Sequence, residues 1–319
     1  KVTIYQSLKN AYGTYDTVDE IAGREKENSE LTNNTCTNVV VKQELADGLV
    51  YTRNEKLYEV SKVPGLLYFR DMVTGGKDFA GETVKLTDDI NLASIDNYIG
   101  TKGTNFAGTF DGNGHTISNL KIQGTEKSTA FLGPVFGATI KNLTITGANV
   151  TSTGADYTGI LASNGYAHFD NCKVSGTVSG IEQVGAIIGY LSCGHIKDCV
   201  VDAAVSASQS RAGILTGKAN VDSQYQIEGN TIKGSATSND IYAGGVVGQI
   251  MCGTDNVWTI KNNSIDATVS NGGSLIGNVR SGYWEAFQAS YQENVTGNTW
   301  TASAGCTISD GTNSVTITK

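Results

Sequence analysis

The sequence predicts an all-β chain wound into a right-handed parallel β-helix, with an α+β cap at its N-terminal end. Two observations carry this. A glycine-anchored unit returns every 26 to 31 residues, and each copy is followed by a segment whose apolar residues alternate with period two.

The first unit is a glycine, three mostly apolar or small residues, then glycine or serine. It starts at Gly133, Gly159, Gly185, Gly213, Gly244 and Gly273. Its tight entry and exit predict one short strand. The second unit starts at Thr139, His168, His195, Gln226 and Thr259, with a weaker sixth copy from Tyr291 and an earlier one from His115. In it Cys172, Val174, Gly176 and Val178 share one face, as do Cys199, Val201, Ala203 and Val205, the pattern of a half-buried strand. The Asn or Asp just before it (Asn119, Asn142, Asn171, Asp198, Asn262) suits a bend, because its short side chain bonds its own backbone.

A single turn cannot bury its own apolar face, so neighbouring turns must stack. Equivalent residues then lie about 4.8 Å apart, and Val174, Val201, Ile232 and Ile265 fall in one internal column. Leucine-rich repeats are excluded because no LxxLxL occurs, hexapeptide helices because their period is shorter, and a WD40 propeller because its period is longer.

The repeats are expected to occupy residues 63–319, and residues 1–62 a strand-rich cap. Strand pieces begin at Val2, Asn38, Leu49 and Leu57, and a short helix is predicted from Thr17. A further helix is predicted from Pro64, at a first helical position. A solenoid end exposes backbone and apolar groups, and this segment should cover it.

Composition narrows the function. The chain has 319 residues, 39 glycines, 2 prolines and a net charge of −8. With five scattered arginines it lacks the clustered cations that nucleic acid requires. No apolar run is long enough to span a membrane. The chain starts at Lys1 and reads as a mature or trimmed one. The six cysteines contain no CxxC pair, and the two stacked ones, Cys172 and Cys199, are expected to be thiols.

Residues 106–122, FAGTFDGNGHTISNLKI, resemble the opening segment of bacterial surface β-helix proteins with GLUG-type repeats, through Phe106, Gly108, Phe110, Asp111, Gly112, Gly114, His115, Ile117, Asn119, Leu120 and Ile122. The strand from Gly81 also resembles that family, and the likeness covers residues 63 to 305. Later copies depart from the pattern, with Gly229 and Glu293 in place of the Asn. The resemblance implies a secreted or surface-anchored protein of an adhesin-like class, usually without an assigned enzymatic activity.

Candidate chemistry is sparse, and no catalytic residue, metal ligand or cofactor is expected. Asp111, Gly112 and Gly114 form half a calcium loop but read better as a turn. His168 and His195 occupy equivalent places in adjacent turns without a repeating third ligand, and read as loop residues. Asp156 and Glu182 could form an acidic pair near Arg211, yet a solvated face is the simpler reading.

Loop length is more informative. The gap after the second small residue grows from 3 residues after Gly137 to 14 after Gly277. Insertions in solenoids collect on one face, often the binding face. The candidate ligand-binding residues are therefore Tyr225, Trp258, Tyr283 and Trp284, with Asp222, Asp255 and Asn256 beside them; the alternative is that these aromatics fold back and pack the loops on the helix wall. The expected function is binding of an extracellular glycan or matrix protein by a monomer at the bacterial surface. A polysaccharide lyase or hydrolase, or a structural stalk, are the alternatives.

Overall fold

The alternation predicted for the second unit is what the chain folds around. In the computed structural model, which describes residues 2–7, 39–98, 100, 104–154, 156–220, 224–240, 242–253, 257–301 and 306–318, successive turns pair in parallel. Ile117, Ile145, Val174, Val201, Ile232, Ile265 and Trp300 stack in one column. Every one of them is buried.

Among the described residues the turns build three sheets: a long one of 14 strands, one of 9, and a short-stranded one of 6. A two-stranded hairpin follows. The winding is right-handed, the hand that strand twist imposes on parallel crossovers.

The bends fall where the short polar residues stand. Asn119, Asn142, Asn171, Asp198 and Asn262 all have φ between 50° and 60°. Gly229 and Gly297 take the same place in later turns, at 70° and 68°. The sixth copy is therefore corrected. Gly297, not Glu293, follows Asn262 in the column, because helix α2 (Trp284–Asn294) occupies the expected strand.

The residue after each bend points inward. Cys172 and Cys199 are buried and free, as are Cys252 and Cys306. Beyond Cys199 the column turns polar, with Asn230 and Asn263 at 1% exposure followed by Asn298.

The glycine unit departs from expectation. It is not one strand but a corner between two, such as Tyr157–Gly159 and Ala162–Asp170, with Ile160 and Leu161 buried at the bend.

At the N-terminal end the strands Val2–Ser7, Val39–Ala46, Leu49–Thr52 and Leu57–Val60 continue the long sheet. Leu57–Val60 pairs in parallel with Thr83–Leu86, which joins cap to solenoid. Helix α1 (Val63–Thr74) has Pro64 in its first turn and buries Leu66, Phe69 and Val73. Phe69 meets Phe79, Phe106 and Phe110 at 5.2, 5.8 and 5.6 Å, so the helix seals the first turn. Each such side chain contributes roughly 1.5–3 kcal/mol. The helix predicted from Thr17 lies outside the described residues.

Candidate functional site

The lengthening loops do not present a row of exposed rings. Tyr225 is 0% exposed, Trp258 1% and Trp284 8%, while Tyr283 is half-buried. The cause lies in one inward column. Ala138, Ala167 and Gly194 fill it in early turns, and Tyr225 and Trp258 in later ones. The longer loops widen the core, and aromatics fill it. Trp258 stacks on Phe287 of α2 at 5.9 Å and lies 6.2 Å from Tyr225. The expected stacking row is thus corrected to loop-packing core. Asp222, Asp255 and Asn256 lie outside the described residues.

Exposed aromatics lie instead on the outer face of the long sheet. Phe136, 65% exposed, sits in register with Tyr166, their rings edge to face at 6.2 Å. Beside them the outer faces of the short-stranded and long sheets meet in a crease floored by glycine. A Cβ on Gly217 would lie 2.4 Å from Val184 N, and one on Gly248 would lie 2.7 Å from Tyr242 O. Only glycine lets the two backbones approach so closely.

Side chains meet across this crease. Tyr157 stacks on Tyr190 at 5.7 Å, and Lys218 lies 5.1 Å above the Tyr190 ring. Asn220 donates to Tyr190 Oη at 2.6 Å. Asp156 and Glu182 are each committed to a cation: Lys127 reaches Asp156 at 3.1 Å, and Arg211 reaches Glu182 at 3.1 Å and Gln249 at 2.8 Å. The acidic pair is therefore two separate ion pairs.

His168 and His195 sit on strands Ala162–Asp170 and Ile188–Lys197, not on loops. Phe169 and Ile196 point inward, so the histidines face out. Their Nδ1 atoms are 2.9 Å apart. His168 Nε2 lies 3.2 Å from Tyr166 Oη, and His195 Nε2 lies 2.7 Å from Asp170 Oδ1. Burial, then the neighbouring His195, holds His168 below the usual histidine range. Among the described residues no cluster of three or more His, Cys, Asp or Glu suits a metal ion. Asp111 accepts from Asn113 N at 2.8 Å, which makes that segment a turn.

Next to the histidines runs a column the sequence reading missed: Glu59, Lys85, Asp111, Lys141, Asp170, Lys197, Glu228 and Lys261, in register turn after turn. Its charges alternate in sign at every step. The signal was present as charged residues recurring at the repeat spacing, but the register that aligns them depends on loops of unequal length.

No family model matches the chain. A stretch of 145 residues, 45% of the chain, is 30% identical to halomucin of Haloquadratum walsbyi, and it spans 2% of that protein's length. Among solved structures the chain is similar to a Bacteroides ovatus protein provisionally named an immunoglobulin A1 protease, with a TM-score of 0.59 and 21% identity over 82% of this chain and 79% of that one. The likeness shows a shared β-helical fold.

Proposed function

We propose that the chain is an adhesin-like, secreted or cell-surface β-helix that binds an extended glycan on the outer face of its long sheet, without turnover. The observation that carries this is Phe136: a 65%-exposed ring beside a β-bulge at Gly137, edge to face with Tyr166. Such a ring adds little to the core and offers a flat apolar surface to a sugar. The stacked Tyr157–Tyr190 pair in the neighbouring crease extends the shelf. The match to halomucin supports a surface setting, and among the described residues no helix is long and apolar enough to cross a membrane.

A glycan array, with the captured polysaccharides also assayed for new reducing ends and unsaturated products, tests the reading. Phe136→Ala should weaken binding by about 1–3 kcal/mol, the range of aromatic stacking on planar ligands, and leave the melting temperature unchanged. Full retention of binding by this variant sinks the proposed face. Product formation would favour a lyase or hydrolase, and capture of matrix protein alone a different partner.

A further inference from the structure

We propose that His168 and His195 form a subsite for an anionic group, carboxylate or sulfate, on a polysaccharide bound at this face. The inference rests on the glycan-binding reading above and names the class of glycan.

The hydrogen-bonded chain through the pair carries the argument. One arrangement of hydrogens satisfies the neutral state: Tyr166 Oη donates to His168 Nε2, His168 Nδ1 donates to His195 Nδ1, and His195 Nε2 donates to Asp170. All four ring nitrogens are used. The 2.9 Å gap between the Nδ1 atoms holds one proton. A second proton there sets two N–H donors head to head, and an acceptor oxygen shared between them relieves the clash. A carboxylate or sulfate supplies such an oxygen.

Of the surroundings, burial and Lys197 oppose a charge on His168 while Asp170 favours one, so the arriving anion supplies the rest of the stabilisation. Asp170 accepts from His195 Nε2 at 2.7 Å on the far side of the ring, so the ligand side of His195 is its Nδ1. The flanking cations have partners within the face: Lys141 lies 3.6 Å from Asp111, and Lys197 lies 2.6 Å from Gln226 and 3.8 Å from Glu228. Thr139 and Gln226, which stand before and after the pair in its own column, are neutral. A charge gained by the pair is therefore the change an incoming anion meets. The Phe136–Tyr166 rings adjoin the pair and would hold the sugar that carries the anion.

Binding and proton uptake are then linked: an anion that draws one proton onto the pair binds up to about tenfold tighter for each unit the pH falls through the histidine range. The rival way to hold that proton is on His168 Nε2, with the Tyr166 hydroxyl turned to accept. It needs no ligand, and an anion would then meet the charge only through space, with a weaker linkage than the roughly tenfold per pH unit of a shared oxygen.

Titration of the full chain with polygalacturonate in buffers of different ionisation enthalpy, at about pH 7.5 and about pH 5.5, on either side of the ordinary histidine value, reads this out. The expected result is binding at least tenfold tighter at the lower pH, with about one proton taken up per site. His168→Gln and His195→Gln should both abolish that difference while each remains fully folded at the two pH values. Phe136→Ala should weaken binding equally at both pH values. Affinity independent of pH, or a pH dependence that survives both Gln variants, overturns the subsite. Binding of neutral glycans only, with none to polygalacturonate, overturns it as well but leaves the glycan-binding face standing. Failure to bind any glycan removes both.

Discussion

Asn263 accepts the side-chain amide of Asn230 at 2.8 Å and passes its own amide to Asn298 at 2.9 Å. It also accepts from Asn230 N at 3.1 Å and donates to Ile227 O at 3.0 Å, with Asn230 and Asn263 each at 1% exposure. Asn263→Ala would leave the buried Asn230 N without this acceptor and take one hydrogen bond each from Asn230 Nδ2, Ile227 O and Asn298 Oδ1, at roughly 1–3 kcal/mol for a buried polar group left unsatisfied. We expect a loss of at least 3 kcal/mol, measured by chemical denaturation. A loss within experimental error would show that water enters the column freely.

Val201 is fully buried between Val174 and Ile232. Val201→Asp places a charge there with no partner, and should cost several kcal/mol or abolish folding. A soluble variant with wild-type melting behaviour would contradict the register.

Trp258→Ala separates the two readings of the long loops. With Trp258 stacked on Phe287 and 1% exposed, the change should cost about 3–5 kcal/mol, as for other buried large-to-small substitutions. A binding defect without a drop in melting temperature would restore the loop aromatics as ligand contacts.

His168 adds a pH dependence to stability. Its folded-state pKa is lowered by burial and by His195, so below the ordinary value near 6.5 the unfolded chain binds more protons. The contribution is present above that value and is lost as pH falls toward the folded pKa. Melting temperature should therefore fall between about pH 7 and about pH 5, and less steeply in His168→Gln. Identical slopes in the two proteins would remove His168 as a source.

Much of the architecture is legible from local pattern. Period two marks the strands, and Asn119, Asn142, Asn171, Asp198 and Asn262 mark the bends, because these preferences act within a few residues. The cap strands and α1 were legible for the same reason. The core width was not. Replacement of Ala167 and Gly194 by Tyr225 and Trp258 in one column becomes visible only once turns are stacked, and until then those rings read as exposed loop residues. The face chosen here was hidden for a related reason. Phe136 stands inside a Gly-x-x-x-Gly copy that looks apolar throughout, but Pro134 pairs with Asn164, so this copy lies past the corner and the strand register that turns Phe136 outward is tertiary. The histidines were paired correctly by equivalence, but the Tyr166 and Asp170 that complete their chain come from outward alternation along the same strand.

The alternating column from Glu59 to Lys261 also restricts how such a chain can change length. Each turn carries the sign opposite to its neighbours. Excision of the turn that bears Asp170 would bring Lys141 against Lys197, and excision of the turn that bears Lys197 would bring Asp170 against Glu228. Like charges directly opposite on neighbouring strands are destabilising. A solenoid of this kind can thus gain or lose turns without penalty only two at a time, so the unit of growth is a pair of coils although the unit of sequence repetition is one.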